Sequence, residues 1–265
     1  MTIRDTKHGW KIGGVRQRVP PGYSLLELLV VIAIMALMLG LLGGTLTAVR
    51  ASARSFECKN KLKTVAFEFF QFADDFSASY RHQRPLGERA GFDIDTFQEK
   101  LYGVDEFWGS LPASLRRYEP SRQVLMCPSG PRVLERRAAL PCEDYPVAPV
   151  ENVTVGFNMR LREASIVTQD RTVLKPVRLS SRILHHPSVP LAFDVDGELA
   201  AQREVMPYYS APPAGDTGHY SGGLYWFPSS RHGSVNAAFI GGHVLSSKQP
   251  ENASSWNWEY QPQPD

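Results

Sequence analysis

The chain has 265 residues, 43% of them hydrophobic and 21% charged, with a formal net charge of +2. That balance averages two pieces: residues 1–22 hold Arg4, Lys7, Lys11, Arg16 and Arg18 against Asp5, which is +4, and the remaining −2 falls to residues 23–265. A body this close to neutral, with no arginine-rich or aromatic-interleaved stripe, carries no footprint for nucleic acid, and three cysteines without zinc-like spacing exclude a disulfide scaffold or a zinc finger.

Residues 1–22 read as a basic leader containing Gly13-Gly14 and Pro20-Pro21-Gly22. A secretory signal peptide places a short apolar core before a small-residue cleavage site. Here the order is inverted, with Gly22 ahead of the apolar run, so ordinary signal cleavage would not remove that run. Leu28 to Val49 then pass without a charge. These residues rise about 33 Å as a helix, enough for a hydrocarbon core of roughly 30 Å. Glu27 stands at the mouth of this segment, where a carboxylate is costly and points to a function. The positive-inside rule keeps the leader cytoplasmic and sends the carboxyl-terminal domain outward. Beyond the apolar run, Leu62, Val65, Phe69, Phe72 and Phe76 recur at spacings of three and four, with Lys61, Lys63, Glu68, Asp74 and Asp75 on other faces. The pattern predicts one helix from about Tyr23 to about Phe76, roughly 80 Å long, weakest at Gly40, Gly43 and Gly44. Phe67 and Phe70 fall off the main stripe and are free to face a neighbouring subunit.

After residue 80, Pro85, Gly87 and Gly91 break the helix, and short helices or turns are expected around Phe97, Leu101, Phe107 and Trp108. Strand-like runs follow at Val153–Phe157, Val173–Leu179, Val189–Asp194, Gly223–Phe227, Val235–Ile240 and His243–Ser246. The last two predict a hairpin whose Gly241-Gly242 loop supplies the positive φ angles of a type I′ turn. The expected class is α+β: a long amino-terminal helix, its first half membrane-spanning, packed on an antiparallel sheet. The expected division is a leader over 1–22, a helix over 23–79 that crosses the membrane at about 28–49, a globular domain over 80–249 and a polar tail over 250–265. In that tail Trp256, Trp258 and Tyr260 suggest docking.

Gly22-Tyr23-Ser24-Leu25-Leu26-Glu27, running into Leu28-Leu29-Val30-Val31-Ile32-Ala33-Ile34, resembles the prepilin-type cleavage and methylation segment of type IV pilins and type II secretion pseudopilins. The resemblance implies cutting after Gly22 by a prepilin peptidase and N-methylation at Tyr23. It makes Glu27 the fifth residue of the mature chain, neutralising the amino terminus of a neighbouring subunit during assembly. An ammonium partner is a natural way to keep a buried carboxylate charged. Tyr23 departs mildly from the usual phenylalanine. A second resemblance, to a pseudopilin-like family of unknown function, rests on Cys58-Lys59-Asn60-Lys61-Leu62-Lys63, Cys127-Pro128-Ser129 and His185-His186-Pro187-Ser188 followed by Phe193-Asp194. That family carries a histidine, nine residues, then Asp-Gly-His. Here eight residues separate His232 from Gly241-Gly242-His243, so the aspartate is replaced by Gly241 and its role is lost.

Cys127 and Cys142 are the simplest disulfide pair, being close in sequence; Cys58 with Cys127 is the alternative. Asp194, Asp196, His219, His232 and His243 are the candidate metal ligands. Calcium comes into view because the secretion pseudopilins that the chain resembles hold it in a carboxyl-terminal loop. Calcium wants six to eight oxygens and imidazole suits zinc better, and Asp194-Val195-Asp196-Gly197 is half of a calcium loop. Capping and turn roles are therefore expected for these residues, with no cofactor. An enzyme reading would make His232 a base beside Asp194 or Ser234, but no nucleophile elbow, phosphate loop or zinc-protease helix accompanies it. Asn152-Val153-Thr154 matches a glycosylation acceptor by pattern alone. The expectation is a non-catalytic filament or pseudopilus subunit of a type II secretion or type IV pilus-like system. It would reside in a bacterial inner membrane as a single-pass protein with its domain in the periplasm. Its partners would be a prepilin peptidase, other pilin or pseudopilin subunits and the inner-membrane assembly machinery. The alternative is a membrane-anchored extracytoplasmic binding module that does not polymerise.

Overall fold

A computed structural model describes residues 22–80, 91–102, 124–130, 153–167, 172–203, 205–213, 220–260 and 262. The leader up to residue 21, Phe107, Trp108, Cys142, Asn152 and His219 lie outside the described residues. The chain is α+β and divides into two compact units, Met1–Ala48 and Val49–Asp265. One helix, α1 (Leu25–Tyr80), contributes to both, and its backbone stays helical through Gly40, Gly43 and Gly44.

In the first unit, α1 presents Leu25, Leu26, Leu28, Leu29, Val30, Val31, Ile32, Ile34, Met35, Leu37, Met38, Leu39 and Leu41 to the outside. A helix apolar all round and buried against nothing needs another apolar medium. It is long and apolar enough to cross a membrane.

In the second unit, α1 becomes one-sided. Cys58, Leu62, Val65, Ala66, Phe69 and Ala73 are buried, while Phe56, Phe67 and Phe70 stay exposed. The buried set recurs at i, i+3, i+4 and i+7, one face of a 3.6-residue period. Phe69 stacks edge-on against Phe92 at 5.9 Å and Phe97 at 5.2 Å, and Phe97 meets Phe157 at 6.0 Å. Phe97 belongs to α2 (Ile94–Tyr102), which therefore sits between α1 and the sheet. Phe76, the last residue of the expected stripe, has no described side chain.

The sheet has five strands in the order β5-β1-β4-β6-β7: β1 Val155–Asn158, β4 Pro190–Asp194, β5 Tyr209–Ser210, β6 Val235–Phe239 and β7 Val244–Ser247. It is mixed rather than purely antiparallel, because β5 runs parallel to β1. Strands β2 (Glu163–Val167) and β3 (Thr172–Pro176) form a separate antiparallel pair. Every residue of β4 and β6 is buried, as happens when both faces are covered. Phe157 pairs with Ala192 and Ala192 with Ala238, so these three share one face. Their small alanines leave room for the helices. The opposite face carries Phe193 and Phe239, packed on Trp258 at 5.3 Å and Trp256 at 5.2 Å.

That second cover is the docking expected of the aromatic residues in the 250–265 tail. Trp256 and Trp258 are core residues, and Arg160 fastens their segment: its guanidinium donates to the Trp258 carbonyl and, at 3.0 Å, to that of Pro212. The expected strand at Gly223–Phe227 is a turn. The Trp226 N–H donates to the Gly223 carbonyl at 3.1 Å, and Arg203 Nη1 gathers the carbonyls of Gly223 (3.0 Å) and Trp226 (2.7 Å). Strands β2 and β5 escaped the pattern because they are short and lack clean alternation. The β6–β7 hairpin forms as expected, but its turn differs. Ala238 pairs with Val244, the Gly242 N–H donates to the Phe239 carbonyl at 2.9 Å, and Gly242 alone has a positive φ, of 82°. A longer loop ending in one left-handed glycine replaces the two-residue type I′ turn.

Candidate functional site

The amino-terminal candidates lie on the first unit. Ser24 precedes α1 and Glu27 is its third residue, and the two cap each other. The Glu27 N–H donates to Ser24 Oγ at 3.2 Å, while the Ser24 N–H donates to Glu27 Oε2 at 2.8 Å. The Ser24 hydroxyl also reaches that oxygen, at 3.1 Å. This reciprocal arrangement is a capping box, readable in advance from Ser-x-x-Glu before an apolar run. Glu27 therefore has a local role, satisfying an orphan N–H at the helix start. Tyr23 is exposed, and the Cβ position of Gly22 has nothing within 4 Å. Among the described residues, Gly22 and Tyr23 are thus exposed immediately ahead of the capped helix.

A second cluster is assembled by the tertiary fold of the second unit. Cys58, on the buried face of α1, is disulfide-bonded to Cys127, with Cα atoms 5.4 Å apart. This corrects the simplest expectation, Cys127 with Cys142, in favour of the alternative with Cys58. The segment bearing Cys127 is held independently of the sulfur bond. The Cys127 N–H donates to the Thr154 hydroxyl, which donates on to the Leu125 carbonyl at 3.2 Å, and Lys61 Nζ donates to the Met126 carbonyl at 2.9 Å. Thr154, the third residue of the glycosylation-like triplet, is fully buried here.

His232 stands against the disulfide, its Nε2 3.1 Å from Cys127 Sγ and 3.2 Å from Cys58 Sγ. The end of β4 builds the turn that places it. The Ser229 N–H donates to the Asp194 carbonyl at 3.0 Å, the Gly233 N–H to the Ser230 carbonyl at 2.8 Å, and Arg231 Nη2 to the Val195 carbonyl at 3.2 Å. Gly233 has a φ of 80°, which a side chain resists. Burial, with the Arg231 and Lys59 charges close by, holds the imidazole below its ordinary value. That favours the neutral form of the ring.

Asp194 lies on the helix-facing side of β4. Its Oδ2 accepts from Asn236 Nδ2 at 2.7 Å and the Asn236 N–H at 3.2 Å, and Ser246 Oγ donates to Asn236 Oδ1 at 2.7 Å. Oδ1 has no hydrogen-bond partner among the described residues. Burial pushes this carboxyl up to about 6, against the opposing pull of Asn236, Arg231 and Lys59. Asp194 therefore carries a proton more readily than an ordinary carboxylate.

The expected metal candidates do not converge as a set. Asp196 caps α3 (Gly197–Gln202), its Oδ1 accepting from the N–H groups of Glu198 and Leu199 at 3.1 Å each. His243 stacks on Phe239 at 4.7 Å. Only His232 joins a converging ligand group among the described residues, and its companions are Cys58 and Cys127. Sequence reasoning missed this triad, whose members are 69 and 105 residues apart. No family model, curated protein or solved structure matches the chain.

Proposed function

We propose that this chain is a structural, non-catalytic subunit of a filament or pseudopilus in a type II secretion or type IV pilus-like system. Prepilin peptidase cuts after Gly22 and methylates the new amino terminus at Tyr23. The apolar half of α1 resides in a bacterial inner membrane, with the leader cytoplasmic and the second unit in the periplasm, until the assembly machinery draws it into a filament. There the helix exchanges lipid for neighbouring apolar helices, and Glu27 accepts the ammonium of an adjoining subunit.

The observation that carries this reading is the fully exposed apolar stretch of α1 directly behind Gly22-Tyr23 and the Ser24–Glu27 cap. Glu27 Oε2 meets the cap, so Oε1 is the atom that faces an incoming ammonium. The exposed Phe56, Phe67 and Phe70 extend an apolar surface along α1 beyond the membrane-length stretch, as subunit packing requires.

The deciding experiment is the mass of the mature amino-terminal peptide from cells that carry a prepilin peptidase. Cleavage after Gly22 with one added methyl group supports the reading, and a Gly22→Val chain should stay uncut. Equal processing of the Gly22→Val chain sinks it. A Glu27→Ala chain should be processed yet fail to enter the filaments that the wild type enters; a wild type that is processed but enters no filament favours the anchored, non-polymerising module.

A further inference from the structure

We propose that Cys58, Cys127 and His232 form a zinc-binding site when their disulfide is reduced, so that one point of the fold alternates between a sulfur–sulfur bond and a thiolate–imidazole metal centre. The three ligand atoms already lie within 4.8 Å of one another. The imidazole Nε2 is nearly equidistant from the two sulfurs, at 3.1 and 3.2 Å. Tetrahedral zinc, with bonds of about 2.3 Å to sulfur and about 2.0 Å to nitrogen, spaces such atoms by roughly 3.5 Å. The imidazole therefore needs to shift by only a few tenths of an ångström, while the two sulfurs, about 2 Å apart when bonded, separate by more than about 1.5 Å once the bond is reduced and the ion enters.

Each ligand is positioned without help from the disulfide. Cys58 is fixed by the buried face of α1, Cys127 by Thr154 and the Lys61 contact to Met126, and His232 by the turn that Val195 and Gly233 anchor. Reduction removes one bond and leaves three residues aimed at a common point. Two thiolates and an imidazole are a soft donor set that prefers zinc to calcium or magnesium. Both cysteines are buried whereas His232 is partly exposed, so the fourth position opens on the histidine side. Two thiolates neutralise the zinc charge, which lets the site tolerate the nearby Lys59 and Arg231 cations.

The steps balance. An external dithiol is oxidised to its own disulfide and delivers two electrons and two protons to the Sγ atoms. Zinc then displaces both thiol protons to solvent as the two metal–sulfur bonds form. The site is independent of filament assembly.

The test uses the full chain in detergent micelles, reduced without oxygen by a phosphine, which leaves as its oxide, and titrated with cobalt(II) and then zinc(II). Reduced wild type and Cys142→Ser should each take up one cobalt with sulfur-to-cobalt charge-transfer absorption, displaced by one zinc; the oxidised chain should take up none. Cys58→Ser should abolish the absorption. His232→Ala should weaken zinc binding at least about tenfold, since even outer-sphere partners are worth about 10- to 100-fold. The proposal is overturned if the reduced wild type retains no cobalt, whether folded or unfolded by circular dichroism. It is equally overturned if binding survives His232→Ala unchanged or disappears in Cys142→Ser.

Discussion

At the scale of single residues, two buried charged groups set measurable behaviour. The Asp194 carboxyl is raised from 3.8 to about 6 because the folded state desolvates it. Between those values the folded chain binds more proton than the unfolded one, so this group's contribution is fully present at low pH and is lost as pH rises through about 6. The expected loss from pH 4 to pH 7 is up to about 3 kcal/mol relative to an Asp194→Asn chain. Urea unfolding of both chains at several pH values checks it, and parallel pH profiles would refute it. Arg160 is fully buried, and its guanidinium holds the carbonyls of Trp258 and Pro212. Arg160→Met leaves those acceptors unpaired and is expected to cost about 2–4 kcal/mol. Amide exchange should accelerate first in residues 250–260, which the arginine ties down. Neither role was legible beforehand, since nothing local in the sequence says which arginine or aspartate the fold will bury.

At the scale of elements, α1 shows how one helix carries two surfaces. Phe69 sits in the aromatic cluster with Phe92 and Phe97, whereas Phe67 is 59% exposed. Phe69→Ala is expected to destabilise the second unit by about 3–5 kcal/mol, and Phe67→Ala to shift it by no more than about 0.5 kcal/mol. If Phe67 serves subunit packing, its loss appears in filament yield instead of in unfolding. The β6–β7 turn is the other informative element. A Cβ on Gly241 would meet Pro187 Cβ at 2.7 Å and the Pro187 carbonyl at 3.1 Å. Gly241→Asp, which supplies the residue of the motif this chain resembles, is therefore expected to cost about 1–3 kcal/mol. Thermal unfolding of the variant checks this. The helix and hairpin were legible because their periods of 3.6 and 2 are written in consecutive residues. The two-residue β5 and the Gly223–Phe227 turn were not, because distant contacts select them.

At the scale of the whole molecule, the Cys58–Cys127 bond closes a segment 69 residues apart in sequence. In the chain-entropy picture such a loop stabilises the folded state by roughly 4 kcal/mol. Cys58→Ser with Cys127→Ser should lower unfolding stability by about that amount, while Cys142→Ser leaves the bond and its contribution in place; denaturant titration of the two chains checks both. The first unit obeys a different rule: its apolar helix is exposed along its described length and is long and apolar enough to cross a membrane.

The sequence by itself determined the long helix, its uncharged length, the carboxylate at its mouth and the α+β class, because each is encoded by composition or by spacing between near neighbours. Only the tertiary structure decided that Cys58 pairs with Cys127, that His232 abuts their sulfurs, that Asp194 lies buried against Asn236, and where Trp256 and Trp258 join the core. Those outcomes depend on which faces meet when strands and helix pack. Contacts between residues 58, 127 and 232 leave no periodic trace along the chain.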